Sequence, residues 1–144
     1  MIKIVCVGKL KEQYLKDLVS DYFDRLCKYH KCEIIEVKDS NINKESIEIA
    51  KYIGNRDFVV TLEIEGKKLD SVKFSSVIDN WIQEHSNITF IIGGSDGIHT
   101  SIKERSNYAL SFSDMTFPHG LMRGFLIEQI YRSFKIMNNE TYHK

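Results

Sequence analysis

Two rhythms of apolar and polar residues exchange places along this chain. Residues 2–7, with Ile2, Ile4, Val5, Cys6 and Val7, form a largely apolar run that stops at Gly8 and reads as a first strand. Residues 10–29 then carry Leu10, Tyr14, Leu15, Leu18, Val19, Tyr22, Phe23 and Leu26 at helical spacing, with charges between them. Residues 33–37 predict a second strand. A short helix follows, with Asn43 as its cap, Ile47, Ala50 and Ile53 on its apolar face and Gly54 as its stop. Residues 58–64 are rich in strand formers, and residues 72–82 return to helical spacing through Val77, Ile78 and Trp81. Residues 88–92 are a continuous run of strand formers, apolar but for Thr89, as expected of a strand covered on both faces. Ser101 and Glu104 have capping-box spacing and open a helix. A last strand over 109–113 and a last helix over 121–138 complete the pattern.

Strands alternating with helices predict an α/β fold with a mostly parallel sheet flanked by helices, in one domain spanning residues 1–144. Sheets of this class bind ligands beyond the carboxyl ends of their strands. Three segments fall there: 63–69, 93–100 and 114–121.

Composition narrows the class without naming a function. The chain is 42% hydrophobic and 28% charged, within the ordinary range for a globular protein. No apolar run reaches the roughly 20 residues that span a bilayer. The opening MIKIVCVGKL lacks a signal-peptide cleavage pattern, so a cytoplasmic protein without a membrane partner is expected. Cys6, Cys27 and Cys32 are odd in number and show no C-x-x-C spacing; Cys6 and Cys27 read as buried thiols, and no metal is expected. Twenty basic and 20 acidic residues balance to zero, so the whole-chain basic footprint of a nucleic-acid binder is missing. From residue 115 onward Arg123, Arg132, Lys135 and Lys144 outnumber Glu128 and Glu140, a mild basic lean that a solvated helix face would also produce.

The chemistry concentrates in three places. Ile91-Ile92-Gly93-Gly94-Ser95-Asp96-Gly97-Ile98 ends a buried strand in glycines, which admit positive φ and let a ligand come close to the backbone. A tight turn without ligand would use the same residues. The spacing is not G-x-G-x-x-G, and Gly66-Lys67-Lys68 lacks the rest of a P-loop. Second, Pro118, the sole proline, forces Phe117 to be extended and sets a rigid turn before the last helix. His119 stands on that turn, either as a base or donor or as a helix-capping side chain. Third, Met122, Phe125, Leu126, Ile127, Ile130, Tyr131, Phe134 and Met137 give the last helix more apolar surface than one sheet contact needs, enough for a partner subunit. The terminal Tyr142-His143-Lys144 is short and polar, and termini fray unless held.

The strand end IIGGSDGIH, the run RSNYALSFSDMTFPHGLMRGFLIEQIYRSFKIM and the terminal YHK resemble the RlmH family (YbeA-like or OrfX-like methyltransferases) of the SPOUT superfamily. KIVCVGKLKEQYL and VVTLEIEGKKLDS are similar to that family too, so the likeness covers nearly the whole chain. The stretch between Val37 and Phe58 is shorter than the family's usual connection, and Gly120 and Gly124 replace bulkier residues, which predicts a loosened start of the last helix. The resemblance implies a SPOUT-type sheet with a C-terminal trefoil knot, a homodimer, and methyl transfer from S-adenosyl-L-methionine to N3 of a pseudouridine in 23S rRNA within the assembled 70S ribosome. It implies cofactor-binding positions at Leu62, Gly93, Phe112, Ser113, Asp114, Met115, Thr116 and Phe117. His119, Tyr142 and His143 become candidates for proton removal or uracil contact, and Arg132 and Arg123 for holding phosphate or uracil carbonyls. In a homodimer the tail residues would come from the other subunit. A non-catalytic ribosome- or RNA-binding module with the same fold is the alternative, and a different nucleotide-using α/β enzyme is a third.

Overall fold

The computed structural model describes all 144 residues. Five strands, β1 (Ile2–Val7), β2 (Cys32–Val37), β3 (Phe58–Lys68), β4 (Ile88–Ile92) and β5 (Tyr108–Ser111), alternate with five helices. These are α1 (Gln13–Cys27), α2 (Ile42–Ala50), α3 (Ser71–Glu84), α4 (Thr100–Arg105) and α5 (His119–Met137). The strands form one sheet in the order β2-β1-β4-β3-β5, every pair parallel. The α/β expectation therefore holds.

The period-two alternation of the strands explains why the sheet is covered twice. Ile2, Ile4 and Cys6 of β1 point into a large core with Val19 and Leu26 of α1, Phe74 and Trp81 of α3, and Leu126 and Ile130 of α5. Val5 and Val7 point the other way, into a smaller core with Ile49 of α2 and Ile102 of α4. All five residues of β4, the central strand, are buried.

Several local expectations are corrected. The first helix starts at Gln13, so Leu10 lies before it and Tyr14 is 69% exposed. The cap of α2 is Asn41, whose side chain accepts from the Lys44 amide, rather than Asn43. Its buried face is Glu45, Ser46 and Ile49, while Ile47 is exposed. His99, not Ser101, caps α4 by accepting from the Ser101 amide. Cys6 is buried as expected, but Cys27 is exposed.

The largest departure is β3. Residues 63–68 are not a loop but a continuation of the strand, with a register shift between Leu62 and Lys67 where it pairs with β5. Gly66 permits this: a Cβ there would lie 2.7 Å from the Ala109 carbonyl carbon and 2.8 Å from that of Leu110. A lone glycine in a strand marks such a close backbone approach. Gly120 and Gly124 do not loosen α5 either. Cβ atoms there would lie 3.2 Å from Leu15 and 2.5 Å from Leu18, so the glycines let α1 lie tightly on α5.

Candidate active site

A cleft of about 710 Å³ opens at the carboxyl ends of β3, β4 and β5, within the usual size of a small-molecule site. Its walls include Leu62, Gly93, Phe112, Ser113, Met115, Thr116, Phe117 and His119. Seven of the eight expected cofactor positions thus meet on one hollow, together with one of the expected catalytic residues. Asp114 is the exception: its side chain is 82% exposed and pairs with Lys68. Glu63, Ile98, Lys103 and Met122 also line the cleft.

The floor is a turn. Gly97 has φ +81° and its amide donates to the Gly94 carbonyl at 3.0 Å. The glycine at 93 serves this turn more than it clears room for a ligand. A Cβ on Gly93 would lie 2.5 Å from the Gly97 carbonyl oxygen, whereas at Gly97 nothing lies within 4 Å.

The wall after β5 is polar backbone. Ser111 donates to the Ser113 carbonyl at 3.1 Å, and the Ser113 hydroxyl accepts from the Met115 amide at 3.0 Å. The amides of Ser113, Asp114, Thr116 and Phe117 have no acceptor within the chain. Unpaired N–H groups beside an apolar floor suit a ligand with an aromatic base, hydroxyls and a carboxylate, and S-adenosylmethionine has all three.

His119 begins α5, after Pro118 in the N-cap position, which supplies no side-chain cap. Its ring makes no hydrogen bond within the chain. A Cβ on Gly8, at the end of β1, would lie 3.5 Å from its Nε2.

Arg132, Tyr142 and His143 lie elsewhere, and they form one cluster. Arg132 donates to Glu128 through Nε at 3.0 Å and Nη2 at 2.6 Å, and its Nη1 lies 3.0 Å from His143 Nδ1. The Tyr142 hydroxyl donates to Glu128 at 2.9 Å, and the Arg132 guanidinium sits 4.7 Å from the Tyr142 ring centroid. Burial raises the Tyr142 pKa, and its contacts with Tyr22 and Glu128 raise it further, so it stays a donor. The tail is therefore docked rather than frayed. Glu128 is the hub, and its i,i+4 spacing to Arg132 was readable in the sequence. Tyr22, on α1, carried no such signal.

Arg123 is corrected outright. Its side chain is 2% exposed, pairs with Glu36 at 2.6 Å and donates to the Gly8 carbonyl at 3.1 Å. It bolts α5 to the ends of β1 and β2 and cannot meet RNA. Most of the basic lean of the C-terminal segment is likewise consumed internally, because Arg132 pairs with Glu128 and Lys135 with Glu140, leaving Lys144 exposed.

Residues 1–143 match the family model described as Predicted SPOUT methyltransferase. The chain belongs to the SPOUT methyltransferase family. Ribosomal RNA large subunit methyltransferase H of Streptococcus uberis is 47% identical over 157 residues, covering 99% of each chain. A probable methylase family protein from Haemophilus influenzae Rd KW20 shares the fold at TM-score 0.60 and 10% identity, over 99% of this chain and 70% of that one. The SpoU methyltransferase AviRb from Streptomyces viridochromogenes, solved in complex with AdoMet, follows at TM-score 0.50 and 10% identity, over 90% of this chain and 56% of that one. For a SPOUT methyltransferase, the glycine-floored cleft is the place to seek the methyl donor.

Proposed function

We propose that this chain, acting as a single domain over residues 1–144, methylates N3 of a pseudouridine in 23S rRNA, with S-adenosyl-L-methionine as donor and the assembled 70S ribosome as substrate in the cytoplasm. The observation that carries the reading is the convergence of Leu62, Gly93 and the 112–117 loop on one cleft in a chain nearly half identical to a large-subunit rRNA methyltransferase. The cleft residues fit the donor: Leu62, Ile92, Leu110 and Phe112 offer an apolar seat for adenine, and the free amides of the 113–117 loop suit its polar parts. When bound, S-adenosylmethionine supplies a methyl group already activated on sulfur.

The chain must then orient the nucleobase and take its N3 proton. His119 is in the cleft wall with a ring uncommitted to any partner, which suits it to accept that proton. Tyr142, kept protonated, turns its single O–H from Glu128 to a uracil carbonyl when substrate arrives, and Arg132 and His143 act beside it. These three side chains do not line their own chain's cleft. A homodimer resolves the separation by bringing the tail of one subunit to the cleft of the other. Support for it comes from a second hollow of about 800 Å³, lined by Leu18, Tyr22, Phe74, Phe117 and Phe125 between α1, α3 and α5. Tyr14 and Phe125, both exposed, add apolar surface to the same helices. We further infer a trefoil knot in the C-terminal half, a rare topology; the return of α5 from the edge strand β5 to lie on α1 supports it.

The test is transfer of labelled methyl groups from S-adenosylmethionine to 70S particles, isolated subunits and naked RNA, followed by mapping of the modified base. Label in 23S pseudouridine from 70S particles is expected. S-adenosylmethionine binding with no transfer to any of the three would leave the non-catalytic ribosome-binding module as the better reading.

A further inference from the structure

Glu140, at the root of the chain's last five residues, is held by a second set of contacts, outside both the cleft and the Glu128 hub. Helix α5 ends at Met137, and Asn139 adopts φ +53°, reversing the chain. The Glu140 amide then donates to the Lys135 carbonyl at 3.0 Å. The Glu140 carboxylate accepts from the Tyr29 hydroxyl, which lies 2.9 and 3.0 Å from its two oxygens, and from the Lys135 ammonium at 3.1 Å. Tyr29 is itself fixed, stacked at 6.0 Å on Phe134 and edge-on at 6.1 Å to Tyr131. The Lys135 ammonium lies 5.4 Å from the Tyr29 ring centroid, closing the triangle.

From these contacts we infer that Tyr29, Lys135 and Glu140 form a clamp that positions the tail for methyl transfer; this rests on the proposed role of Tyr142 and His143. Only Thr141 separates the clamp from Tyr142. Seven residues beyond a helix end would otherwise sample many conformations, each ordered residue costing backbone entropy at the moment of reaction. With Glu140 pinned, that ordering precedes substrate arrival. The clamp uses α1's outgoing turn as its anchor, so the tail is registered against the body of the protein and not only against α5. None of the three side chains lines the cleft, and they act as positioning residues, not catalytic ones.

The experiment compares Tyr29→Phe, Glu140→Ala and the double variant with the wild type and with a chain lacking residues 141–144, all as full-length dimers acting on 70S particles. Tyr29→Phe keeps the ring stacking and deletes only the hydroxyl. A fall in kcat of roughly threefold is expected for Tyr29→Phe, which loses one solvent-exposed hydrogen bond, and roughly tenfold for Glu140→Ala, which loses that bond and the Lys135 pair together. The double variant should be no slower than Glu140→Ala, because both changes open one clamp. S-adenosylmethionine affinity should be unchanged and amide exchange faster only across 138–144, a pattern that a general loss of structure would not give. Wild-type kcat in both single variants, beside an inactive truncated chain, would overturn the clamp while leaving the tail's role intact. Full activity of the truncated chain would instead sink the tail's role, and the clamp with it.

Discussion

Arg123 and Glu36 offer the sharpest test of how this structure divides its charges between folding and function. The guanidinium is 2% exposed while Glu36 is 36% exposed, so the two partners stand unequally toward water. Glu36→Gln leaves a buried cation facing a neutral amide. Breaking a fully buried pair costs about 3–5 kcal/mol; with one partner a third exposed, and the amide oxygen still able to accept, about 2–3 kcal/mol is expected. For a chain of this size that lowers Tm by roughly 6–10 °C. Arg123→Met behaves differently. It keeps the apolar stem, removes an Nε that has no acceptor in the fold, and leaves a carboxylate that water can reach. Its cost should be about 1 kcal/mol, near the volume-conserving limit. Thermal unfolding at fixed protein concentration measures both. A Glu36→Gln protein as stable as wild type, or an Arg123→Met protein less stable than Glu36→Gln, would refute the assignment. So would an Arg123→Met protein of wild-type stability and donor affinity that has lost methylation, for then the arginine would be meeting RNA after all.

Gly93→Ala should abolish S-adenosylmethionine binding by calorimetry and cost about 1–3 kcal/mol of stability, because the new methyl meets backbone at 2.5 Å in the Gly94–Gly97 turn. His119→Ala should lower kcat by about 100-fold or more while donor affinity changes little, as measured by single-turnover methylation of 70S particles. Tyr142→Phe should slow transfer, and the wild-type pH–rate profile should show no loss from ionisation of this phenol below pH ~10, since burial and its hydrogen bonds raise its pKa. At the other end of the sheet, burial alone would raise the Asp57 pKa, but the Lys3 ammonium at 2.8 Å, the Gly54 amide and the Thr89 hydroxyl outweigh it and lower it overall. Its folded-state pKa is therefore below the unfolded value of about 3.9, so its contribution is present above that pH and fades as acid protonates it. Urea unfolding of Asp57→Asn should show lower stability at pH 7 and a flatter decline between pH 5 and 3.

The parts of this protein that announced themselves did so through local chemistry. The apolar runs of β1 and β4 revealed strands because burial on two faces leaves room for a polar residue only where it finds a partner, as Thr89 does in Asp57. Gly93 and the 112–118 segment pointed to the cleft because glycine frees the backbone and proline fixes it, each in a way few other residues can. Contacts between distant segments were silent. Nothing near Arg123 points to Glu36, 87 positions away, and the arginine read as a surface cation until its partner appeared. Residues 63–68 looked like a loop because the strand leaves the core there and turns polar; only Gly66 hinted at the backbone of β5 beneath it. On α2, isoleucines at 47 and 53 suggested one face, but Glu45 is buried instead, its carboxylate accepting from the Ser40 amide at 2.9 Å. Helical spacing cannot register such a substitution of polar for apolar burial.

The internal pairing of Arg123, Arg132 and Lys135 also bears on how the enzyme meets its target. Cations tied to carboxylates of their own chain displace few counterions from nucleic acid, so this end of the molecule adds little salt-dependent adhesion. That adhesion falls instead to exposed lysines outside any ion pair, such as Lys9, Lys11 and Lys16 at the other end of the chain.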